Sequence, residues 1–226
     1  MALFSRRDED IERMSWSSKA MSEDDYHELE RLSPDRKYEY INGKAYMMSG
    51  GSREHDLITN NIWAALRGKL RSGPCKASGT NVQVLLGKKL SGRPHYVYPD
   101  ATVTCDATDL RYGNTLIEAP RVVVEVLSPS TETKDRGTKF KAYQHTSTIQ
   151  EIVLVNQYYS SVEVWQRDAE HPENPNAWYY RHYGPGEVVE LTSLNIQLAM
   201  GEIYEEMNFD IEEEADEGEG FDAEGD

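Results

Sequence analysis

Val122-Val123-Val124-Glu125-Val126-Leu127 is the most hydrophobic run of the chain, and it carries an acid in its middle. A short run of β-branched residues like this predicts a strand that is buried on both faces. An ionised carboxylate there loses its hydration, which costs several kcal/mol unless a partner compensates. That partner can be the cation of a salt bridge or a bound metal ion, and the run itself leaves both open.

A second acid, Asp100, stands in a similar setting in Tyr98-Pro99-Asp100-Ala101-Thr102-Val103. Because Pro99 cannot donate a hydrogen bond to a neighbouring strand, the strand predicted over residues 97–105 bends or lies at an edge there. On its own, an Asp after a Pro is more often a turn or cap residue. Two acids on neighbouring buried strands, however, are how proteins build sites for hard cations.

The residues around Glu125 indicate which lysine accompanies the two acids. Strand alternation places Glu125 on the same face as Val123 and Leu127. In the helix predicted to follow, Asp135, Lys139 and Tyr143 recur every four residues and share one face. Lys139 is therefore predicted to turn toward the end of the sheet where Glu125 emerges. Two carboxylates and a lysine around one divalent cation form an arrangement that can cleave phosphodiesters.

The rest of the pattern predicts a mixed α/β fold with one central sheet. A capping signal at Ser22-Glu23-Asp24-Asp25 opens a helix that runs to about Leu32. Asn42-Gly43 predicts a hairpin, and Gly184-Pro185-Gly186 predicts another between strands 178–183 and 188–191. The remaining predicted elements are a helix over 53–71, strands over 81–86, 97–105 and 122–127, a helix over 134–145, a hairpin of strands 152–155 and 162–166, and a short amphipathic segment over 203–207.

Composition limits the class of protein. The chain has 226 residues, 38% hydrophobic and 28% charged, which suits one domain with a good core. No stretch is long and apolar enough to predict a membrane span, and residues 1–13 do not resemble a secretory signal. Cys75 and Cys105 show neither a disulfide framework nor zinc-ligand spacing. The sequence therefore predicts a cytoplasmic, disulfide-free protein.

The negative charge is concentrated at one end of the chain. The formal charge is −16, but residues 210–226 contain ten acids and no Lys or Arg, and without those acids it is −6. We predict a disordered lead-in over 1–20, a domain over 21–208 and an acidic disordered tail over 209–226. The tail is interpreted most simply as solubilising, while a sharper hypothesis is that it mimics nucleic acid. A charge of −6 is not typical of a strong non-specific DNA binder.

Four stretches together resemble a known family: Tyr38-Glu39-Tyr40-Ile41-Asn42-Gly43, Pro99-Asp100, Val124-Glu125-Val126-Leu127-Ser128-Pro129-Ser130, and Asp135-Arg136-Gly137-Thr138-Lys139 followed by Tyr143. They are similar, in the same order, to the large bacterial family of restriction-endonuclease-like proteins within the PD-(D/E)XK nuclease superfamily. The resemblance covers residues 22 to 207. It implies a restriction-endonuclease-like core, a central mixed sheet flanked by helices with additional β-hairpins.

The resemblance also implies roles for individual residues. Asp100 and Glu125 would hold the metal, Mg²⁺ or in its place Mn²⁺. Lys139 would be the catalytic lysine. It would be carried by the helix and not by the strand, since the residue two positions after Glu125 is Leu127 and not a lysine. Glu39 would be an additional catalytic acid, although an exposed acid on a hairpin would be equally ordinary. Supporting residues would be His55 at the start of the long helix, Ser128 at the strand end, and Tyr143, for which packing is the simpler reading. A departure from the family is Ile152-Val153-Leu154-Val155-Asn156, where relatives often carry an aromatic pair and an Asp.

The sequence thus predicts a Mg²⁺-dependent endonuclease that hydrolyses phosphodiester bonds, most simply in DNA, and that could work as a homodimer. Two alternatives stay open: a catalytically silent interaction module with a nuclease fold, and a nuclease specialised for RNA or branched DNA. The chain's fourteen tyrosines could stack on bases, but cross-strand packing is the preferred interpretation.

Overall fold

The computed structural model describes residues 20–48, 50–87, 94–129, 132–171, 174 and 176–209. All but the last residue of the predicted lead-in and all but the first residue of the predicted acidic tail lie outside these residues. The helices are α1 (Glu23–Leu32), α2 (Arg53–Lys69), α3 (Glu132–Lys134), α4 (Phe140–His145) and α5 (Met200–Ile203). The strands are β1 (Tyr38–Ile41), β2 (Lys44–Met47), β3 (Lys76–Gly79), β4 (Gln83–Leu86), β5 (His95–Val97), β6 (Ala101–Thr104), β7 (Leu116–Ile117), β8 (Pro120–Leu127), β9 (Glu151–Asn156), β10 (Val162–Arg167), β11 (Trp178–Tyr183), β12 (Val188–Leu191) and β13 (Ile196–Ala199).

A six-stranded mixed sheet in the order β11-β10-β9-β8-β6-β3 forms the centre of the fold. The pair β8–β9 is parallel and the other pairs are antiparallel. The predicted central mixed sheet is therefore confirmed. The structure adds a second, five-stranded sheet in the order β2-β1-β5-β4-β7, which the sequence did not predict.

The predicted strand over residues 97–105 is interrupted, and its two parts belong to different sheets. At Tyr98-Pro99-Asp100 the chain leaves β5 in the five-stranded sheet and enters β6 in the six-stranded one. Pro99 has no N–H to offer a ladder, so the break falls where the sequence predicted a bend. As a result, Asp100 lies at the junction of the two sheets.

The side chains on the two faces of β8 are buried in two different cores, as strand alternation predicted. Val122, Val124 and Val126 belong to the core under α2, together with Ile58 and Ile62. Val123 and Leu127 belong to a second core, which contains residues of both sheets and of α4. Glu125 alternates with Val123 and Leu127, so its side chain points into the space between the two sheets.

Local signals in the sequence account for the first half of the fold. The Ser22 hydroxyl accepts a hydrogen bond from the backbone N–H of Asp25, which caps α1 as predicted. Asn42 (φ 52°) and Gly43 (φ 76°) form the turn of the predicted β1–β2 hairpin. The Ser52 hydroxyl caps the start of α2 by accepting from the N–H of His55. This cap fixes the first turn of α2, where His55 lies.

The predicted hairpin around Gly184-Pro185-Gly186 is wrong. Strand β11 instead pairs with β10, and β12 pairs with β13, a strand that was not predicted. The chain does turn at this point, since the N–H of Glu187 donates to the carbonyl of Gly184. A turn signal fixes where the chain reverses but not which strands pair. The hairpin of β9 and β10 was predicted correctly.

Two helix predictions also need correction. The helix predicted over residues 134–145 is divided into α3, a kinked segment over Asp135–Lys139, and α4. Gly137 (φ −102°, ψ −108°) departs from helical geometry and separates the pieces, because glycine tolerates such angles at little cost. Near the C-terminal end of the domain, the predicted segment 203–207 is replaced by α5, which is four residues long and ends at Ile203.

The expectation of a disulfide-free chain is wrong as well, because Cys75 and Cys105 are joined by a disulfide. The reason is β3, which the sequence did not predict. It pairs with β6 in a register that sets Lys76 opposite Thr104, so the two cysteines stand opposite each other just beyond that pair. The cysteines therefore give no support to a reducing compartment, and a cytoplasmic location stays a prediction. Within the described residues, none of the helices could span a bilayer.

Candidate active site

Asp100 and Glu125 meet at the end of the β6–β8 pair. Ala101 is paired with Val124, and the two acids lie one residue beyond this pair on their respective strands. The Asp100 carboxylate is held in place there, since its Oδ2 accepts a hydrogen bond of 2.7 Å from the backbone N–H of Val126. Both acids are buried. The predicted juxtaposition of the two carboxylates is thus present in the structure.

Lys139 reaches this point from the end of the kinked segment between α3 and α4. Its ammonium nitrogen Nζ lies 2.8 Å from Glu125 Oε1, 2.7 Å from Glu39 Oε1 and 3.5 Å from Asp135 Oδ1. The lysine is itself 3% exposed, whereas Lys141 on the next helical turn faces solvent. Of these two lysines, the structure therefore turns inward the one that the helical spacing predicted.

Glu39 is brought to the cluster by the second sheet. All four residues of β1 are buried, and Ile41, on the same face as Glu39, belongs to the core between the sheets. Glu39 Oε1 also accepts a hydrogen bond of 3.3 Å from the backbone N–H of Tyr98, the residue that begins the crossing to Asp100. The sequence allowed an ordinary exposed acid at this position. The second sheet explains why Glu39 is buried instead.

Tyr143 contacts the same cluster from α4. Its hydroxyl donates a hydrogen bond to Glu125 Oε1, and the whole residue is inaccessible to solvent. Burial raises the pKa of the Tyr143 hydroxyl well above its usual range, and the neighbouring Glu125 charge raises it further. Tyr143 is thus a neutral hydrogen-bond donor that holds Glu125, consistent with the predicted packing role.

His55 and Ser128 lie beside the acids. His55 Nε2 is 3.4 Å from Asp100 Oδ2. Burial alone would lower the pKa of His55, but the hydrogen bond and the charge of Asp100, together with the backbone of Val126, raise it. Asp100 therefore favours the protonated imidazole. Ser128 lines the cavity at the end of β8, next to Pro129.

The cluster opens into a cavity of about 340 Å³. The predicted residues that line it are Glu39, His55, Asp100, Glu125, Ser128 and Lys139. Tyr143 lies behind them and is not part of the wall. Among the described residues on the wall, Lys139 is the only Lys or Arg, while Asp135 adds a fourth carboxylate. A polar recess with convergent acids is a typical candidate for a catalytic site.

The charges in this cluster do not balance. Burial raises the pKa of the Glu125 carboxyl well above its usual range, and Lys139 offsets only part of this effect. Burial by itself would lower the pKa of Lys139, but the carboxylates of Glu125 and Glu39 raise it well above its usual range. The lysine is therefore firmly protonated. Three carboxylates contact this one ammonium group, and Asp100 beside them pairs with His55. The four acids outnumber the two cationic side chains, and a further cation would stabilise the excess of negative charge.

The donor set suits a hard divalent cation. Among the described residues, Asp100 makes its hydrogen bond to Val126 and its ion pair with His55 through Oδ2. Glu125 contacts Lys139 and Tyr143 through Oε1. Asp100 Oδ1 and Glu125 Oε2 are thus the oxygens suited to ligation. No group of three or more His, Cys, Asp or Glu side chains within the described part of the chain is placed so that it could hold a metal ion. Mg²⁺ commonly binds through one or two carboxylates plus water and substrate phosphate, which two acids would satisfy.

Comparison with known proteins gives the family. Residues 23–201 match the family model described as "Uma2: Putative restriction endonuclease". The chain belongs to the Uma2 family. A Synechocystis protein called "Uncharacterized protein slr1290" is 33% identical over 189 residues, which cover 84% of this chain and 94% of that relative. A second Synechocystis protein, "Uncharacterized protein sll1609", is 24% identical over 152 residues, 67% of this chain and 83% of the relative.

A solved structure supports the fold. The chain is similar to a crystal structure from Anabaena variabilis ATCC 29413 described as "a putative nuclease belonging to DUF820", with a TM-score of 0.58 and 19% identity. The match covers 74% of this chain and 88% of the other. The restriction-endonuclease-like fold and membership of a nuclease family, both expected from the sequence, are confirmed.

Asp135 and Gln157 are among the wall residues that the sequence did not predict as part of the site. Asp135 was used only to define a helical face, although its spacing of four residues from Lys139 was a signal that it could reach the same site. Gln157 follows β9 and lines the cavity, yet the run Asn156-Gln157-Tyr158 gives no pattern that marks it. Its position depends on the parallel β8–β9 pair, which sets Asn156 beside Leu127.

Proposed function

We propose that this Uma2 protein is a metal-dependent endonuclease that hydrolyses phosphodiester bonds in DNA, with Mg²⁺ or Mn²⁺ as its cofactor. The observation that carries the proposal is the buried cluster at the end of β8. There, three carboxylates contact one lysine, and Asp100 lies beside them on the wall of a cavity of about 340 Å³. Membership of a nuclease family supports a nucleic acid as the substrate.

In this proposal each residue has a separate task. Asp100 and Glu125 would hold the cation through the oxygens that face away from Val126 and Tyr143. When bound, the cation would polarise a phosphate and lower the pKa of a water molecule. Lys139 would donate a hydrogen bond to that water or to the phosphate and offset the negative charge that develops. Lys139 is the suitable donor because it is buried and firmly protonated.

The other residues would position these groups. Glu39 Oε1 and Asp135 Oδ1 lie 2.7 and 3.5 Å from Lys139 Nζ. These two carboxylates keep the ammonium group charged and in place. His55 contacts Asp100 on Oδ2 and thereby fixes the orientation of the carboxylate. Tyr143 does the same for Glu125. Such fixed orientation is what holds reactive groups close to their productive geometry.

One observation favours the rival, a nuclease fold that has become a silent interaction module. Lys139 already bridges Glu39 and Glu125 at short distances, as it would in a purely structural ion-pair network. The excess of carboxylates and the open cavity favour the nuclease instead. Because duplex cleavage requires two strand cuts, we also propose a homodimer, which a molar-mass measurement by light scattering would test.

The experiment compares Asp100→Asn with Asp109→Asn. Asp109 stands beyond the opposite end of β6 and accepts hydrogen bonds from the backbone N–H groups of Glu118 and Ala119, so it is a matched structural aspartate. Each protein is incubated with plasmid, linear duplex, single-stranded DNA, a four-way junction and RNA, with Mg²⁺, Mn²⁺ or EDTA. Metal binding is followed by calorimetry.

We expect metal-dependent cleavage that Asp100→Asn abolishes and Asp109→Asn retains. If only RNA or only the four-way junction is cleaved, that nucleic acid takes the place of the proposed substrate. Absence of both cleavage and metal binding in the wild type would favour the interaction module.

A further inference from the structure

The catalytic cavity continues into a second, larger cavity of about 740 Å³. The two share Met48, Gly50, Gly51, His55 and Asp100 as wall residues, so they meet at the edge of the proposed metal site. Together they form one depression, here named the track. The first cavity has Tyr158 on its wall, and the second extends to Trp63 on α2. A track that passes the reacting groups and continues beyond them suits a chain-like ligand.

Each cavity of the track has an aromatic ring on its wall. Tyr158 is 57% exposed, in the turn between β9 and β10. Asn156 Oδ1 accepts hydrogen bonds from the backbone N–H groups of Tyr158 at 2.8 Å and Tyr159 at 3.2 Å, which fixes this turn. Trp63 is partly exposed, and the guanidinium carbon of Arg67 lies 5.0 Å from its ring centroid. Rings held in this way can stack on bases, which stack most readily when they are unpaired.

The charge of the track argues against an intact duplex. Arg36 and Lys37 are the only Lys or Arg among the described residues of the second wall, and that wall also carries the acids Asp35, Asp56 and Asp100. Duplex binding depends mainly on neutralising phosphates with several basic side chains. Here the attraction would have to come from stacking and hydrogen bonding. That favours a strand whose bases are already unstacked.

We propose that the track binds one strand of DNA, with Tyr158 and Trp63 stacking on bases on either side of the phosphate that is cut. The proposal rests on the proposed nuclease function and names its substrate class as single-stranded or locally unpaired DNA. Neither the tyrosine nor the tryptophan takes part in the reaction. They determine which form of DNA reaches Asp100 and Glu125.

The test measures binding separately from cleavage. A fluorescent single-stranded oligonucleotide, its duplex and the matching RNA are titrated in EDTA, where metal-dependent cleavage is suppressed, and binding is followed by anisotropy. The proteins are wild type, Tyr158→Ala, Trp63→Leu and Trp63→Phe. Tyr159→Ala is the matched control, because Tyr159 is 59% exposed in the same turn but is not part of either wall. Cleavage is then measured on the same set with Mg²⁺.

We expect the wild type to prefer the single strand. Tyr158→Ala and Trp63→Leu should each weaken its binding by about 5- to 100-fold, the usual range for the loss of one stacked base. Tyr159→Ala should bind like the wild type, and Trp63→Phe should recover much of what Trp63→Leu loses.

Three other outcomes are informative. The wild type cleaves DNA in the first of these outcomes. If Tyr158→Ala and Tyr159→Ala then bind the single strand equally well, or if the duplex binds more tightly than the single strand, the proposed track is wrong and the proposed nuclease function stands. If strand binding depends on Tyr158 and Trp63 but no cleavage occurs, the track stands and the nuclease is wrong. A preference for RNA over the DNA strand would overturn the proposed substrate.

Discussion

Glu125 and Glu151 are two fully buried glutamates on adjacent parallel strands, and their surroundings differ completely. Glu151 begins β9 opposite Val122, three residues from the level of Glu125. It accepts hydrogen bonds from the Thr192 hydroxyl at 3.2 Å, the Ser193 N–H at 3.3 Å and the Ser193 hydroxyl at 2.6 Å. Glu125 instead shares Lys139 with two other carboxylates and faces a cavity. The donors to Glu151 are neutral and belong to the loop between β12 and β13.

The difference shows that burial alone does not mark a functional acid. Glu151 is more deeply buried than Glu125, at 0% against 3% exposed, yet its carboxylate is fully used in joining β9 to the loop after β12. Glu125 is held in a cluster with more acids than bases. Excess charge and access to a cavity, rather than burial, distinguish the two residues.

The strongest test of this comparison places the same substitution at both glutamates. Glu125→Gln removes one charge from a crowded cluster but keeps an acceptor for Tyr143. We expect the cleavage rate to fall by about 10³-fold or more, because a metal ligand is lost. The free energy of unfolding in urea should change by less than about 1 kcal/mol. A large loss of stability with unchanged cleavage would make Glu125 the structural acid.

Lys139→Met should reveal the excess of negative charge directly. Lys139→Met takes away the cation that Glu39, Glu125 and Asp135 share, and we expect a loss of about 3–5 kcal/mol in the free energy of unfolding. Millimolar Mg²⁺ should raise the melting temperature of this variant more than that of the wild type, since binding to the folded state stabilises it. Lys141→Met, on the exposed side of the same helical segment, is the control. Equal metal effects in the two variants would argue against a cation site in this cluster.

Glu151→Gln should have the opposite effects from Glu125→Gln. The amide replaces charge-assisted hydrogen bonds to Thr192 and Ser193 with weaker ones, and one amide donor would face a hydroxyl. We expect a loss of about 1–3 kcal/mol in urea unfolding. Cleavage per folded molecule should equal that of the wild type when measured below the unfolding transition. A specific loss of cleavage would extend the active site to the far end of β9.

The sequence predicted the site better than it predicted the fold around it. Strand alternation and helical spacing were sufficient to place Glu125 and Lys139 on facing surfaces, because both are local periodicities. The resemblance to a known family supplied Glu39 and His55. Burial of Glu39 required knowledge of the five-stranded sheet, and that sheet depends on pairing between distant segments such as β1 and β5. Strands β3 and β13 were missed for the same reason, and with β3 the Cys75–Cys105 disulfide.

The smallest expected effects come from removing one hydroxyl group beside each of the two glutamates. Ser193→Ala removes the 2.6 Å donor to Glu151, and Tyr143→Phe removes the hydroxyl donor to Glu125. Both variants should lose about 1 kcal/mol of stability, the usual net value of one such hydrogen bond. Only Tyr143→Phe should also reduce kcat, by about 10-fold with KM unchanged, because the Glu125 carboxylate loses its fixed orientation while substrate contacts remain. Equal kcat values in the two variants would mean that Tyr143 only fills the core. In that case Lys139 alone would orient Glu125, whereas the neutral donors of Thr192 and Ser193 orient Glu151.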